Sequence, residues 1–592
     1  MNLLRIALAA LIAAVQAQPQ RPSASIEGLV VKLGTAEPLA SASVQLNLEV
    51  SDDRRSESAG GPPRGQLQRK GRSDANGRFI FENVAPGKYR LIATYEGEYV
   101  PAEYGQRSPT GEGIPFEIAA GQRMTGIQLA MPPTGAISGR IYDRNGEPLG
   151  KAQVLALRPL YKDGRRTMTI VQTVESDDRG EYRLYWLAPG RYYVGAKPDI
   201  TEVPMNLGQP NPYNASAVHA TPPARFGTFE QAVNPVVHKR RLKTGEAVEE
   251  MYQPVYYPNT VDMRAAAPVS VAPGTTVGGV DIATGAGLIT PHHIRGRVFD
   301  QAGRPVAAAR VMAMPRTADP YFLAPRAQSA ADGKFDIPGV APGSYQIFAN
   351  IAGEARTLSG IAAVEVAEKD IENIPIPMTS SFTLSGRFVM EGSLQSPNNS
   401  QTSFPRLGNL LRDPDILGIP SAFTSFDQPV GADGAFTIAG ISPGDFRMNL
   451  GVPPDRYVKS MRMGNADVLT EGLHISGPPD TALEIVIGAN AGRIEGSVVN
   501  TRNEPLFNRT VVLAPDVRLR QRDDLYKVVS TDNSGRFQMQ GIPPGDYKLF
   551  SWENVETGAW RDPDFIQAYE SAGRPIRINE GSNENLHLRV IP

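Results

Sequence analysis

Short stretches in which apolar and polar residues alternate recur along the whole chain. Phe79-Ile80-Phe81 and Phe537-Gln538-Met539 place residues i and i+2 on one face, the period of a strand. Nowhere do apolar residues at i, i+3, i+4 and i+7 run long enough to predict a sizeable helix. Turn chemistry closes each stretch. Asp74-Ala75-Asn76, Asp177-Asp178-Arg179 and Asp532-Asn533-Ser534 each precede a glycine, a composition in which Gly supplies positive φ and Asp or Asn bonds the local backbone. Prolines at 86, 189, 342, 443 and 544 fix φ and end a strand, and the glycine after each lets the chain reverse. The pattern predicts many short strands joined by tight corners.

These corners repeat. A glycine, an aromatic two residues later, a Pro-Gly and a second aromatic occur as Gly77, Phe79, Pro86-Gly87, Tyr89; as Gly180, Tyr182, Pro189-Gly190, Tyr192; as Gly333, Phe335, Pro342-Gly343, Tyr345; as Gly434, Phe436, Pro443-Gly444, Phe446; and as Gly535, Phe537, Pro544-Gly545, Tyr547. An upstream element recurs as Gly28, Pro38, Val44; Gly139, Pro148, Val154; Gly296, Pro305, Val311; and Gly496, Pro505, Val511, while the fourth copy keeps only Gly386. Self-similarity at a fixed period marks a repeat architecture. The expected units are 25–133, 134–288, 289–379, 380–490 and 491–592, the second enlarged by an insertion at about 199–255. Each closes on an alternating segment such as Val280-Asp281-Ile282 or Leu586-His587-Leu588. In the third unit Pro375 cannot donate to a ladder, which predicts an edge strand there. About seven strands in each unit fit an all-β chain built as a tandem array of about five antiparallel β-sandwich (Ig-like or prealbumin-like) modules.

The run Gly296-Arg-Val-Phe, Gly303-Arg-Pro-Val, Arg310-Val311, Asp332-Gly333-Lys-Phe335, Val340-Ala-Pro-Gly343-Ser-Tyr345, with its counterparts in the other units, resembles the carboxypeptidase regulatory-like domain. That family is a transthyretin-like (prealbumin-like) sandwich, also similar to the B-type repeats of Gram-positive surface adhesins. The resemblance implies a non-catalytic accessory or binding module of exported bacterial proteins, and it does not imply peptidase activity.

Composition narrows the class further. Sixty Lys and Arg nearly balance 62 Asp and Glu, so no overall field attracts nucleic acid. Arg5, the apolar run Ile6–Val15 and the small-residue site Val15-Gln16-Ala17 read as a signal peptide over 1–17, after which no apolar run is long enough to span a bilayer. The expected location is secreted, periplasmic or associated with the outer surface. There is no cysteine, which removes disulfides, thiolate nucleophiles and cysteine metal sites. Hydrophobic cores alone must hold the fold.

Candidate chemistry is sparse. No His has Glu three residues on, as a zinc peptidase pair requires, and the adjacent His292-His293 would point to opposite faces of a strand. Gly440-Ile441-Ser442-Pro443-Gly444 matches the Gly-x-Ser-x-Gly pattern but coincides with the Pro-Gly turn of the repeat, whereas a nucleophile elbow needs a strand-to-helix turn. The Asp-rich corners lack the downstream Glu of a calcium loop and read as structural turns. The likeness to adhesin B-type repeats implies an internal isopeptide bond with Lys32 as its donor candidate, yet Tyr142, Phe299 and Val499 stand near its place in other units, which argues against a shared crosslink. Neither a metal nor a cofactor is expected. The polar segment 51–72 is predicted to be a hairpin tip, and the insertion, with its cluster His238–Lys243, to be a solvated loop with a candidate short helix in 228–251.

Sugars are bound by exposed flat rings flanked by polar side chains, which directs attention to the three tryptophans. Trp186 sits where unit one has Asn83 and unit three Gly339. Trp552 and Trp560 flank Glu553, Asn554 and Glu556 and are followed by Tyr569. Trp552, Trp560, Tyr569 and Trp186 are the candidate ligand-binding residues, against the alternative that the rings cap the end of a sandwich. The expected function is non-catalytic binding by an exported multi-module protein, of a polysaccharide or as an adhesin at the cell envelope. The alternative is a structural spacer or scaffold that recruits an envelope protein.

Overall fold

A computed structural model of the chain describes residues 24–49, 68–198, 235–316, 324–352, 357–392, 406–412 and 430–592, with single gaps at 107, 110, 112, 163 and 432. The expected signal peptide, most of the segment 51–72 and the insertion up to residue 234 lie outside the described residues. Nearly every described element is a strand. Five separate apolar cores follow one another along the chain, centred on Ile26 and Phe79, Ile137 and Tyr182, Ile294 and Phe335, Leu384 and Phe436, and Ile494 and Phe537. The protein is a tandem array of β-sandwiches. With no disulfide to help, each fully buried Ile, Leu or Phe contributes about 1.5–3 kcal/mol.

Units one and five show the plan most simply. In unit one the strand Ala24–Lys32 pairs antiparallel with Arg78–Val84 and parallel with Arg123–Met131, while Ser43–Leu48 lies between Gln68–Arg72 and Gly87–Thr94 in the facing sheet. Unit five repeats it, with Gly492–Val499 between Arg536–Ile542 and Asn583–Arg589, and Thr510–Pro515 between Lys527–Ser530 and Gly545–Ser551. The sandwich is thus mixed. The closing strand returns from the second sheet by a crossover and joins the first strand in parallel.

The two sequence motifs meet in space. Gly28 pairs with Phe79, Gly296 with Phe335, Gly386 with Phe436 and Gly496 with Phe537, each across the first antiparallel ladder. A β-carbon on any of these glycines would come within 3.0 Å of both the facing ring and the carbonyl oxygen of Ile127, Ile374, Leu483 or Leu586 on the parallel partner. The ring lies over the glycine because no other residue leaves room. In unit two Gly139 is closed off by the Val280 carbonyl, to which the Tyr182 hydroxyl also donates at 2.6 Å.

Two polar devices hold the facing sheet. The second aromatic of the motif donates its hydroxyl to the carbonyl just before the Pro-Gly: Tyr89 to Ala85 (2.9 Å), Tyr192 to Ala188 (2.5 Å), Tyr345 to Ala341 (2.9 Å) and Tyr547 to Pro543 (2.8 Å). A buried hydroxyl near the Asp corner closes a second clamp. Ser73 accepts from the Ala42 amide and donates to the Leu39 carbonyl, and Ser176, Ser329 and Thr531 do the same in units two, three and five. This clamp was legible as a Ser or Thr just before Asp74, Asp177 and Asp532, but sequence reasoning passed over it.

A bulge interrupts the first ladder at one place in every unit, where Asn83, Trp186, Gly339, Gly440 and Gly541 adopt positive φ of 56°, 56°, 72°, 78° and 68°. Two residues there oppose one on the partner, and the left-handed position favours Gly or Asn. The bulge falls one residue before the last residue of each strand, just ahead of the Pro-Gly that ends it.

Two expectations need correction. Pro375 does lie on the strand Ile371–Ser380 where its outer side is unpaired, but Thr379 and Ser380 go on to pair with Ser359 and Leu358. The strand thereby joins both sheets of unit three into one seven-stranded sheet instead of ending it. Residues 235–252 hold no helix: His238–Arg241 and Ala247–Tyr252 form an antiparallel hairpin, with Glu250 accepting from Arg240. Among the described residues no helix is long and apolar enough to cross a membrane.

Candidate functional site

The structure brings three of the four candidate residues together and leaves the fourth apart. In unit five Val512, Ala514, Phe550 and Trp552 point away from the sandwich core and form a second apolar face. The segment after Trp552 folds over this face through the turn Ala559–Arg561 and the short helix Pro563–Ala568, which Asp562 caps by accepting from the Asp564 and Phe565 amides. Trp552, 2% exposed, stacks on Phe550 at 5.4 Å and meets Phe565 and, edge-on, Tyr569. Trp560 is buried in the same cluster. Both indoles are packed on protein, so the arrangement is that of a cap, in which large amphipathic rings cover an apolar face.

Trp186 lies on unit two at the bulge, 45% exposed, with Tyr185 beside it at 4.8 Å in an edge-on pair. One part of its ring rests on unit one: a β-carbon on Gly97 would lie 3.0 Å from Cε2 and Cζ2 of the indole. Thr134 donates to the carbonyls of Gly97 and Glu98 and pins that loop at the junction, where Tyr95 and Tyr99 form a further edge-on pair at 5.4 Å. Tyr185, 41% exposed, was not singled out by sequence, although its position beside Trp186 was the available signal.

The other candidates resolve into structural roles. Asp74 accepts from the Asn76 and Arg78 amides, Asp177 from Arg179 and Glu181, and Asp532 from Ser534 and Arg536, which spends these carboxylates on their own turns. Lys32 faces Glu37 at 3.7 Å. Ser442 lies in the turn between the strands Ala435–Ile441 and Gly444–Gly451, with no helix following. His292 is buried, while the His293 ring lies 2.6 Å from Asp336 and 3.4 Å from Glu249 of the insertion hairpin. Arg295 continues this network to Asp336, Asp370 and Glu372. Burial pushes the Asp370 carboxyl up, but the His293 amide and Arg295 outweigh it and hold the group below its ordinary range. The network pins the hairpin to unit three. Among the described residues no three His, Asp or Glu side chains are placed to hold a metal ion.

The chain is similar to several solved structures. They include the TIE protein of Bacillus anthracis (10% identity over 93% of this chain and 68% of that one, TM-score 0.13) and the minor pilin of Streptococcus agalactiae (12%, 44% and 95%, 0.21). A putative carbohydrate-binding protein of Pseudomonas aeruginosa matches over 14% of this chain and 87% of its own, at 14% identity and a TM-score of 0.12. No curated protein sequence matches the chain. Residues 293–378, the third unit, with its glycine beneath Phe335, its Ser329 clamp and its Tyr345 bond, match the carboxypeptidase regulatory-like domain.

Proposed function

We propose that this chain is a non-catalytic, exported, multi-module binding protein that takes a polysaccharide at the junction of units one and two, on the Tyr185–Trp186 pair. The observation that carries this reading is Trp186 itself. An L-residue at positive φ costs roughly 1–2 kcal/mol, and the other units answer the same backbone demand with Asn83, Gly339, Gly440 and Gly541. Unit two instead holds a half-exposed indole there, next to a half-exposed tyrosine. The ring rests against Gly97, whose chain neighbours Glu96 and Glu98 are exposed, and a ring face with carboxylates on the adjoining loop suits the CH face and hydroxyls of a sugar.

The test is affinity electrophoresis of residues 18–592 through gels containing a panel of polysaccharides, beside Trp186→Asn, which installs the residue unit one already uses. Retardation that disappears in Trp186→Asn while the melting temperature holds or rises is the expected result. Retardation on no polymer, or equal retardation of the variant, overturns the reading. A second reading, a scaffold that recruits an envelope protein, is supported by the tight junctions between units, such as Thr134 on the Gly97 loop. A pull-down from envelope extract would then retain a partner whose binding ignores Trp186→Asn.

A further inference from the structure

The features in which units two and five depart from the repeat are the ones that touch across the chain. The strands Gln153–Lys162 and Arg165–Glu175 of the unit-two hairpin are longer than their described counterparts Ser43–Leu48 with Gln68–Arg72 or Arg310–Pro315 with Arg326–Gln328. Its extended tip adds nothing to the core of its own unit, which draws on Val154, Ala156, Val171 and Val174 nearer the base. Among the described residues the aromatic segment after Trp552, with its short helix, likewise belongs to unit five alone.

The two meet closely. The Tyr161 ring lies 6.4 Å from Phe565, and a β-carbon on Gly558 would come 3.1 Å from Cβ and the carbonyl oxygen of Tyr161. At the hairpin turn, a β-carbon on Gly164 would come 2.7 Å from the Arg561 carbonyl oxygen. Two glycines thus let two backbones approach at either side of Trp560.

A second contact joins unit five to unit one. Phe507 stands two residues after the motif proline Pro505, where the other units carry Ala40, Gly150 and Ala307. Its ring packs beside Tyr104 at 6.2 Å and over Gly105, and the side-chain amide of the next residue, Asn508, donates to the Gly105 carbonyl. The Asn533 side chain lies close to the Tyr104 hydroxyl. There a large ring stands where other units carry a small residue, and it packs on unit one.

We propose that units one, two and five form an intramolecular clasp, which folds the array back on itself so that the free protein is a closed body and not an extended stalk. Phe507 and the Trp560 segment are its unit-five side, and the Tyr104 loop and the Tyr161 hairpin tip receive them. This stands independently of sugar binding, because Trp186 takes no part in either contact.

The absence of cysteine gives a clean test on the full mature chain. Gln106→Cys with Asn533→Cys places one thiol on each side of the clasp, to be bridged by a short bis-maleimide. The expected result is an intramolecular crosslink whose rate does not depend on protein concentration, as a high effective concentration requires. Adding Phe507→Ala and Tyr161→Ser, the first of which restores the residue units one and three use, should slow that crosslink roughly tenfold or more. The radius of gyration from X-ray scattering should rise while far-UV circular dichroism stays unchanged. A crosslink that forms only between molecules, or one that survives both substitutions at full rate, overturns the clasp. An unchanged radius in the folded double variant overturns it equally.

Discussion

Units three and four are neighbours of similar size that reach the same fold with different equipment. Unit three has the glycine beneath a ring at Gly296 and Phe335, the bulge at Gly339, the Ser329 clamp and the Tyr345 hydroxyl bond. Unit four keeps the first two, at Gly386 with Phe436 and at Gly440. Phe446 has no hydroxyl, and no clamp equivalent to Ser329 occurs among its described residues. It nevertheless assembles a core from Leu384, Phe388, Phe436, Ile438 and Ile485, and its closing strand Leu483–Gly488 still runs parallel to the first. The difference separates what specifies the sandwich from what strengthens it. Glycine under ring sets register and sheet spacing, because only one alignment puts the missing side chain opposite the ring. The hydroxyl devices tie down loops around a core that forms without them.

The largest effect should come from filling the glycine site. Gly296→Val and Gly386→Val each force a side chain into a ring and a carbonyl, and each should cost more than about 3 kcal/mol, the upper range of overpacking. Peptide-level hydrogen exchange on the full chain should show the mutated unit losing protection as a whole. If unit four tolerated the change while unit three did not, the glycine would not be the shared determinant.

Next comes Ser329→Ala, which leaves the buried Ala309 amide and Val306 carbonyl without their partner. A cost of about 1–3 kcal/mol follows from orphaning buried polar groups, read as faster exchange over 306–315 and a lower unfolding midpoint. An unchanged midpoint would mean that the clamp only decorates the corner.

The smallest is the exchange of one hydroxyl. Tyr345→Phe makes unit three resemble unit four and should cost about 1 kcal/mol, while Phe446→Tyr should gain no more than that. Urea midpoints monitored by exchange on the 343–352 and 444–451 segments would show the pair. A loss at Tyr345 well above 2 kcal/mol would place the hydroxyl among the specifying features.

Much of the fold was legible because its determinants are local and repeated. Gly-x-aromatic, Pro-Gly and the upstream glycine each encode a backbone conformation or a missing side chain, and five copies make the spacing plain. Trp186 was legible as an exposed ring because its equivalents are Asn83 and Gly339. For Trp552 and Trp560 the sequence left two readings open, a ligand-binding pair and a cap on the end of the sandwich. Their polar neighbours Glu553, Asn554 and Glu556 look the same whether the indoles face solvent or the outer face of their own sheet. The insertion hairpin was read as a loop because its partners, Glu249 with His293 and Met251 with Ile289, lie on either side of a unit boundary.

By itself the sequence determined the strands, the corners, the number of sandwiches and the absence of any cysteine chemistry, since each follows from residues within about a hundred positions of one another. Only the tertiary structure decided which rings remain open, how Ile371–Ser380 unites two sheets, and that Phe507 and Tyr161 meet units far from them in the chain. Those outcomes depend on which surfaces face each other once the modules have formed. A side chain's type says how it packs, but not against what.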